Sequence, residues 1–91
     1  MNMNAKLNLS VLPNPCKTET VVKFSTDNSS RAVFNICSMN GQIISKVYEG
    51  QADSGVEYFI PVSVLSLSNG VYLCQLVVGT QTRTNKIIVV R

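Results

Sequence analysis

The chain contains no histidine and no tryptophan. Without an imidazole base, Ser-His-Asp and Cys-His arrangements are excluded outright, and a Ser-Lys pair has no motif around any serine to support it. Cys16, Cys37 and Cys74 lack the short ligand spacing of a zinc site, and no histidine can complete one. Only 14% of residues are charged, eight Lys/Arg against five Asp/Glu, with no basic run and no basic-aromatic stripe of the kind nucleic acid selects. The five carboxylates, Glu19, Asp27, Glu49, Asp53 and Glu57, are scattered over turns and outward strand positions. They read as solvated charges, with no acid/base pair in a cleft and no calcium loop. No Gly-rich phosphate loop is present, so no cofactor is expected. No run approaches the roughly 18–20 apolar residues of a membrane span, which leaves no stable membrane insertion, and Met1 to Asn8 lacks the apolar stretch of a signal peptide.

What the chain does have is apolar residues, 45% of its 91, enough for one folded domain. A domain of this size buries only about 60–65% of the surface its unfolded chain exposes, so its core must be simple. The apolar residues recur with period two or in runs of five to nine, and no stretch shows the 3.6 period of an amphipathic helix. Leu7, Leu9 and Val11 alternate in a first strand that ends at Pro13-Asn14-Pro15, where the prolines remove backbone donors. Strands are expected over 20–25, 32–38, 42–49, 56–61, 71–78 and 82–90. Asn40-Gly41 supplies a hairpin turn, residues 50–55 a loop, and residues 62–68 a buried crossover. Pro61 marks an edge strand or an exit. About seven short strands predict an all-β fold, an immunoglobulin-like two-sheet antiparallel sandwich. Residues 1–6 read as the start of an excised segment or a linker, and 7–91 as the domain.

An odd number of cysteines means at least one thiol stays unpaired within the chain. Ala32, Phe34 and Ile36 share one face, which turns Cys37 to the other. Tyr72, Cys74, Leu76 and Val78 form the more apolar set of their strand, which turns Cys74 inward. The two sulfurs are therefore not expected to meet.

The punctuation carries more information than the composition. Leu9-Ser10-Val11-Leu12-Pro13-Asn14-Pro15 comes first, then Asn35-Ile36-Cys37-Ser38-Met39-Asn40-Gly41-Gln42. Leu67-Ser68-Asn69-Gly70-Val71-Tyr72 follows, and Thr84-Asn85-Lys86-Ile87-Ile88-Val89-Val90-Arg91 closes the chain. In this order and spacing the segments resemble the C-terminal sorting domains of the type IX (Por) secretion system of Bacteroidetes, over about residues 7 to 91. Cys16 and Cys37 stand where the family more often has Phe and Tyr. The residues also have structural readings. Pro13, Asn14 and Pro15 end a strand, Gly41 permits a turn, Gly70 permits a bend, and Tyr72 fills the core with its hydroxyl near the rim.

The resemblance implies a non-catalytic domain fused behind a secreted cargo. It would carry that cargo from the periplasm through the outer-membrane translocon to the cell surface or beyond. A sortase-like peptidase would then remove the domain and attach the cargo. Lys86, Val89, Val90 and Arg91, an apolar strand between two cations, are the expected recognition residues. Strand addition at an exposed edge is the expected mode, and self-association through such an edge is a further expectation. Two other classes stay open: a carbohydrate-binding or adhesive module using Tyr48 and Tyr58 as stacking platforms, and a passive spacer of the fibronectin type III kind.

Overall fold

The computed structural model describes residues 7–91, and the linker reading of residues 1–6 lies outside the described residues. Seven strands follow in order: β1 (Leu7–Leu12), β2 (Glu19–Thr26), β3 (Ser30–Cys37), β4 (Ile43–Ala52), β5 (Tyr58–Ser63), β6 (Gly70–Val78) and β7 (Gln81–Val89). They form two antiparallel sheets, β1-β2-β5 and β4-β3-β6-β7. This is the expected immunoglobulin-like sandwich.

Strand alternation builds the core between the sheets. Thr20, Val22, Phe24 and Thr26 point inward from β2, and Cys74, Leu76 and Val78 from β6. Phe24 and Phe34 are fully buried, and burial of such a side chain stabilises by about 1.5–3 kcal/mol relative to exposure. Phe24 stacks on Tyr58 at 5.1 Å and meets Tyr48 edge-on at 6.0 Å. The buried threonines are satisfied locally: Thr20 Oγ1 donates to the Pro13 carbonyl at 2.8 Å, and Thr26 Oγ1 to that of Asn28 at 3.1 Å. All three cysteines are free and buried. Cys74 lies in the apolar core and Cys37 outside that cluster, as the alternation requires.

Several boundaries move. Residues 50–52 are not loop but the end of β4, paired as Ala32↔Gly50, Arg31↔Gln51 and Ser30↔Ala52, because burial of Ala52 rewards the longer ladder. β5 begins later and runs through Pro61 to Ser63, so Pro61 marks an edge and not an exit. An edge strand tolerates proline where its nitrogen faces away from the neighbour. Val62 therefore belongs to the strand. The crossover beyond it is buried at Val64, whose N–H donates to the Thr18 carbonyl at 2.8 Å.

The β3–β4 turn also differs from a two-residue hairpin. The Gly41 N–H donates to the Ser38 carbonyl at 2.9 Å and the Ser38 N–H to the Gln42 carbonyl at 2.8 Å. Gly41 takes φ +91° and Asn40 does not take positive φ. This is a three-residue loop with glycine at the left-handed position. The tight two-residue turn lies instead between β6 and β7, with Gly79 at φ +61°.

Candidate functional site

The closing strand β7 lies at the edge of the four-stranded sheet, with β6 on one side only. Its other side is occupied near the end. Asn14 Nδ2 donates to the Lys86 carbonyl at 2.7 Å, and the Ile88 N–H donates to Asn14 Oδ1 at 2.9 Å. The Cys16 N–H then donates to the Ile88 carbonyl at 2.8 Å, and the Val90 N–H to the Cys16 carbonyl at 3.0 Å. Pro13-Asn14-Pro15 thus takes the chain off the first sheet and lays it parallel against β7, with Cys16 bridging Val89. The prolines contribute no N–H groups, so the Asn14 side-chain amide supplies the donor and acceptor that a paired peptide group would supply. From Lys86 to Val90 the edge of β7 is closed in the folded domain.

Arg91 is held as firmly. Its Nη1 donates to the carbonyls of Lys17 at 2.9 Å and Val64 at 3.1 Å, and its Nη2 to that of Leu67. Its backbone N–H donates to Asn69 Oδ1 at 3.1 Å, and Asn69 Nδ2 returns a bond to the Arg91 carbonyl at 3.3 Å. The guanidinium fork joins the segment after the Pro-Asn-Pro turn to the β5–β6 crossover. Next to it the Tyr72 hydroxyl donates to the Ser68 carbonyl at 2.7 Å. A tyrosine at the start of this strand, bonded back to the crossover and two residues before an inward cysteine, is the tyrosine corner of immunoglobulin-like domains. Gly70 opens β6 directly opposite Val89.

The four expected recognition residues therefore have different surroundings. Lys86 and Val90 present their side chains on the outer face of the sheet, with Ile88 between them and Val71 and Leu73 beside them. Val89 points the other way and is 1% exposed, so its side chain contacts only the core while the domain is folded. Arg91 is exposed but spends its donors on three carbonyls. Sequence reasoning missed Ile88, Asn69 and Lys17. The period of two places Ile88 beside Lys86 and Val90, but Asn69-Gly70 reads as a turn, which hides the Asn69 side chain's role.

All three thiols are free and buried. Burial pushes Cys74 up to about 11. Burial also raises Cys16, against a smaller opposing pull from the Arg91 charge. Among the described residues no group of His, Cys, Asp and Glu is placed to hold a metal ion. Tyr48 and Tyr58 pack against the core around Phe24, and the Tyr58 hydroxyl accepts the Asp53 N–H at 2.7 Å. That tethering to the core counts against a sugar-stacking platform.

A family model described as "Secretion system C-terminal sorting domain" matches residues 10–90. No curated protein matches. Among solved structures, the crystal structure of dimeric latent PorU from Porphyromonas gingivalis is similar, with a TM-score of 0.70 and 18% identity. The similarity covers 98% of this chain and 10% of that one, so the chain spans about a tenth of that protein's length. At this identity the likeness is one of fold.

Proposed function

The chain belongs to the family of secretion system C-terminal sorting domains, and from that premise we propose how it is used. As a type IX sorting signal it directs export across the outer membrane. The finer reading is that a cargo fused ahead of Leu7 is carried through the translocon and delivered to the cell surface or the extracellular space. A sortase-like peptidase then removes the domain and attaches the cargo. The domain is a substrate of that machinery and performs no reaction of its own. Translocon components read the outer face at Lys86, Ile88 and Val90. Pro13, Asn14, Pro15, Gly70, Tyr72 and Arg91 keep that face in one conformation, and Val89 anchors it to the core. Edge pairing at Lys86–Val90 would require Asn14 and Cys16 to leave first, so face recognition is the economical mode for a folded domain.

The observation that carries this reading is the family match along nearly the whole domain, residues 10–90. Fusion of the chain behind a periplasmically exported fluorescent reporter in a type IX-competent host tests it, with extracellular fluorescence as the readout. The wild-type fusion is expected outside the cell. Lys86→Glu with Val90→Ser, both at exposed side chains, is expected to leave most of the reporter in the periplasm. Phe59→Ser, on the outer face of the other sheet, is expected to export normally. A wild-type fusion retained in the periplasm refutes the sorting role. Unchanged export of the Lys86/Val90 variant refutes the assignment of the recognised face.

A further inference from the structure

The strand register divides the sandwich into two ends. One carries Pro13–Lys17, the β3–β4 turn, the β5–β6 crossover and Val90–Arg91, and the other carries Leu7, the β2–β3 loop and the β6–β7 turn. The exposed large apolar side chains are not evenly shared between them. Among the described residues all except Val56 and Phe59 lie in the half with Arg91. Leu12 is 70% exposed and Leu65 67%, and Met39 stands on the hairpin tip at 55%. Val71 and Val90 complete the ring on the outer face of the second sheet. Single exposed apolar residues need no explanation, but a ring of them around one end does.

Charge follows the same division. Lys17, Lys86 and Arg91 lie at the apolar end with one carboxylate, Glu19, and no described carboxylate pairs with any of the three. Elsewhere Lys23 pairs with Glu57, Lys46 and Arg31 with Glu49, and Arg83, in the far half, donates to the Leu7 carbonyl at 3.2 Å. Asp27 and Asp53 sit in the loops at the far end. We infer that the Arg91 end of the domain is a peripheral docking surface for an anionic lipid bilayer. Apolar side chains enter the headgroup boundary there, and Lys17 and Lys86 meet the anionic headgroups.

The arrangement of the ring selects this occupant. Leu12 lies on the outer face of one sheet, Val71 and Val90 on that of the other, and Met39 and Leu65 on loop tips. A flat protein partner covers one such face, whereas a lipid interface surrounds the end on all sides. The domain measures 46 × 23 × 20 Å, and apolar groups of interfacial proteins enter about 5–10 Å, a depth that a single end supplies. An unpaired lysine near an anionic surface strengthens binding by about fivefold. The three cations at the apolar end turn that end, rather than the end with Leu7, toward the lipid. This contact is peripheral: no helix is long and apolar enough to cross a membrane. It also does not depend on the sorting role, since a chain that fails to export can still bind lipid.

Co-sedimentation of the 91-residue chain with vesicles of phosphatidylglycerol and phosphatidylcholine in equal parts tests the inference, with pure phosphatidylcholine alongside. Binding is expected to the anionic vesicles only and to weaken with salt. Lys17→Gln and Lys86→Gln are each expected to lower it about fivefold. Leu65→Ser and Met39→Ser, at exposed loop positions, are expected to lower it by a similar factor. Phe59→Ser at the other half is expected to leave it unchanged. Absence of binding to anionic vesicles overturns the inference and favours an acidic, apolar-lined protein surface instead. Equal binding to both vesicle types, or an effect of Phe59→Ser as large as that of Leu65→Ser, also overturns it.

Discussion

Replacement of Asn14 by alanine should unfasten the closing strand from a position 72 residues away in sequence. The variant loses both bonds of the side-chain amide, to the Lys86 carbonyl at 2.7 Å and from the Ile88 N–H at 2.9 Å. The Lys86 carbonyl is at the surface and water replaces its partner, so that loss costs about 0.5 kcal/mol. The Ile88 N–H is partly buried, and leaving it unpaired costs about 1–2 kcal/mol. The sum is about 2 kcal/mol, a large part of the roughly 5–15 kcal/mol that holds a small domain together. For a domain of this size that corresponds to a fall in Tm of about 8–16 °C. Asn14→Asp keeps the acceptor for the Ile88 N–H but sets a carboxylate oxygen against the Lys86 carbonyl, so it should not restore wild-type stability at neutral pH. Thermal and urea denaturation followed by circular dichroism measure the loss. Amide hydrogen exchange at Ile88 and Val90 shows whether it is local to β7. An Asn14→Ala variant with unchanged midpoint and unchanged protection at Ile88 would refute the bracing role.

Three other expectations rest on separate features. Gly41→Ala and Gly79→Ala both place alanine at positive φ, costing about 1–2 kcal/mol. A Cβ at Gly41 meets nothing within 4 Å whereas one at Gly79 comes within 2.9 Å of Ser30 Oγ, so Gly79→Ala should be the more destabilising in urea. Ser30→Ala should remove that difference, and equal effects of the two glycine variants would contradict the contact. Hydrogen bonds from Lys46 and Arg31 hold the Glu49 carboxyl down to about 2. The contribution of this cluster to stability is complete above the ordinary value of 4.5 and is lost as pH falls toward 2. A carboxyl-carbon NMR titration of Glu49 with its midpoint at the ordinary value would refute this. Burial of all three thiols, with Cys74 raised to about 11, predicts no reaction with an aromatic disulfide reagent at neutral pH until urea unfolds the chain. Rapid labelling of the native domain would contradict it.

The strand class and the inward-facing sets could be read locally because the period of two is fixed by the backbone. Leu7, Leu9 and Val11, or Cys74, Leu76 and Val78, announce a buried face whatever they pack against. Boundaries were less legible. Gly50 suggested a loop, but whether β4 continues through Ala52 depends on the partner residues Ser30 to Ala32 across the ladder. Asn40-Gly41 announced a turn, but its length was set by how β3 and β4 came into register.

The sequence by itself determined an all-β chain, the inward orientation of Cys74, the lack of an imidazole base, and an ordered set of turn motifs that pointed to a sorting domain. Tertiary structure decided what those motifs hold. Pro13-Asn14-Pro15 ends a strand in either view, but only the fold brings Asn14 to Lys86 and Ile88. Arg91 is a terminal cation in the sequence and a clamp on Lys17, Val64 and Leu67 in the structure. The physical reason is that side-chain direction along a strand is a local property of the backbone. The partner at a strand edge and the gathering of exposed apolar groups at one end depend on residues far apart in the chain, which come together only when both sheets have packed.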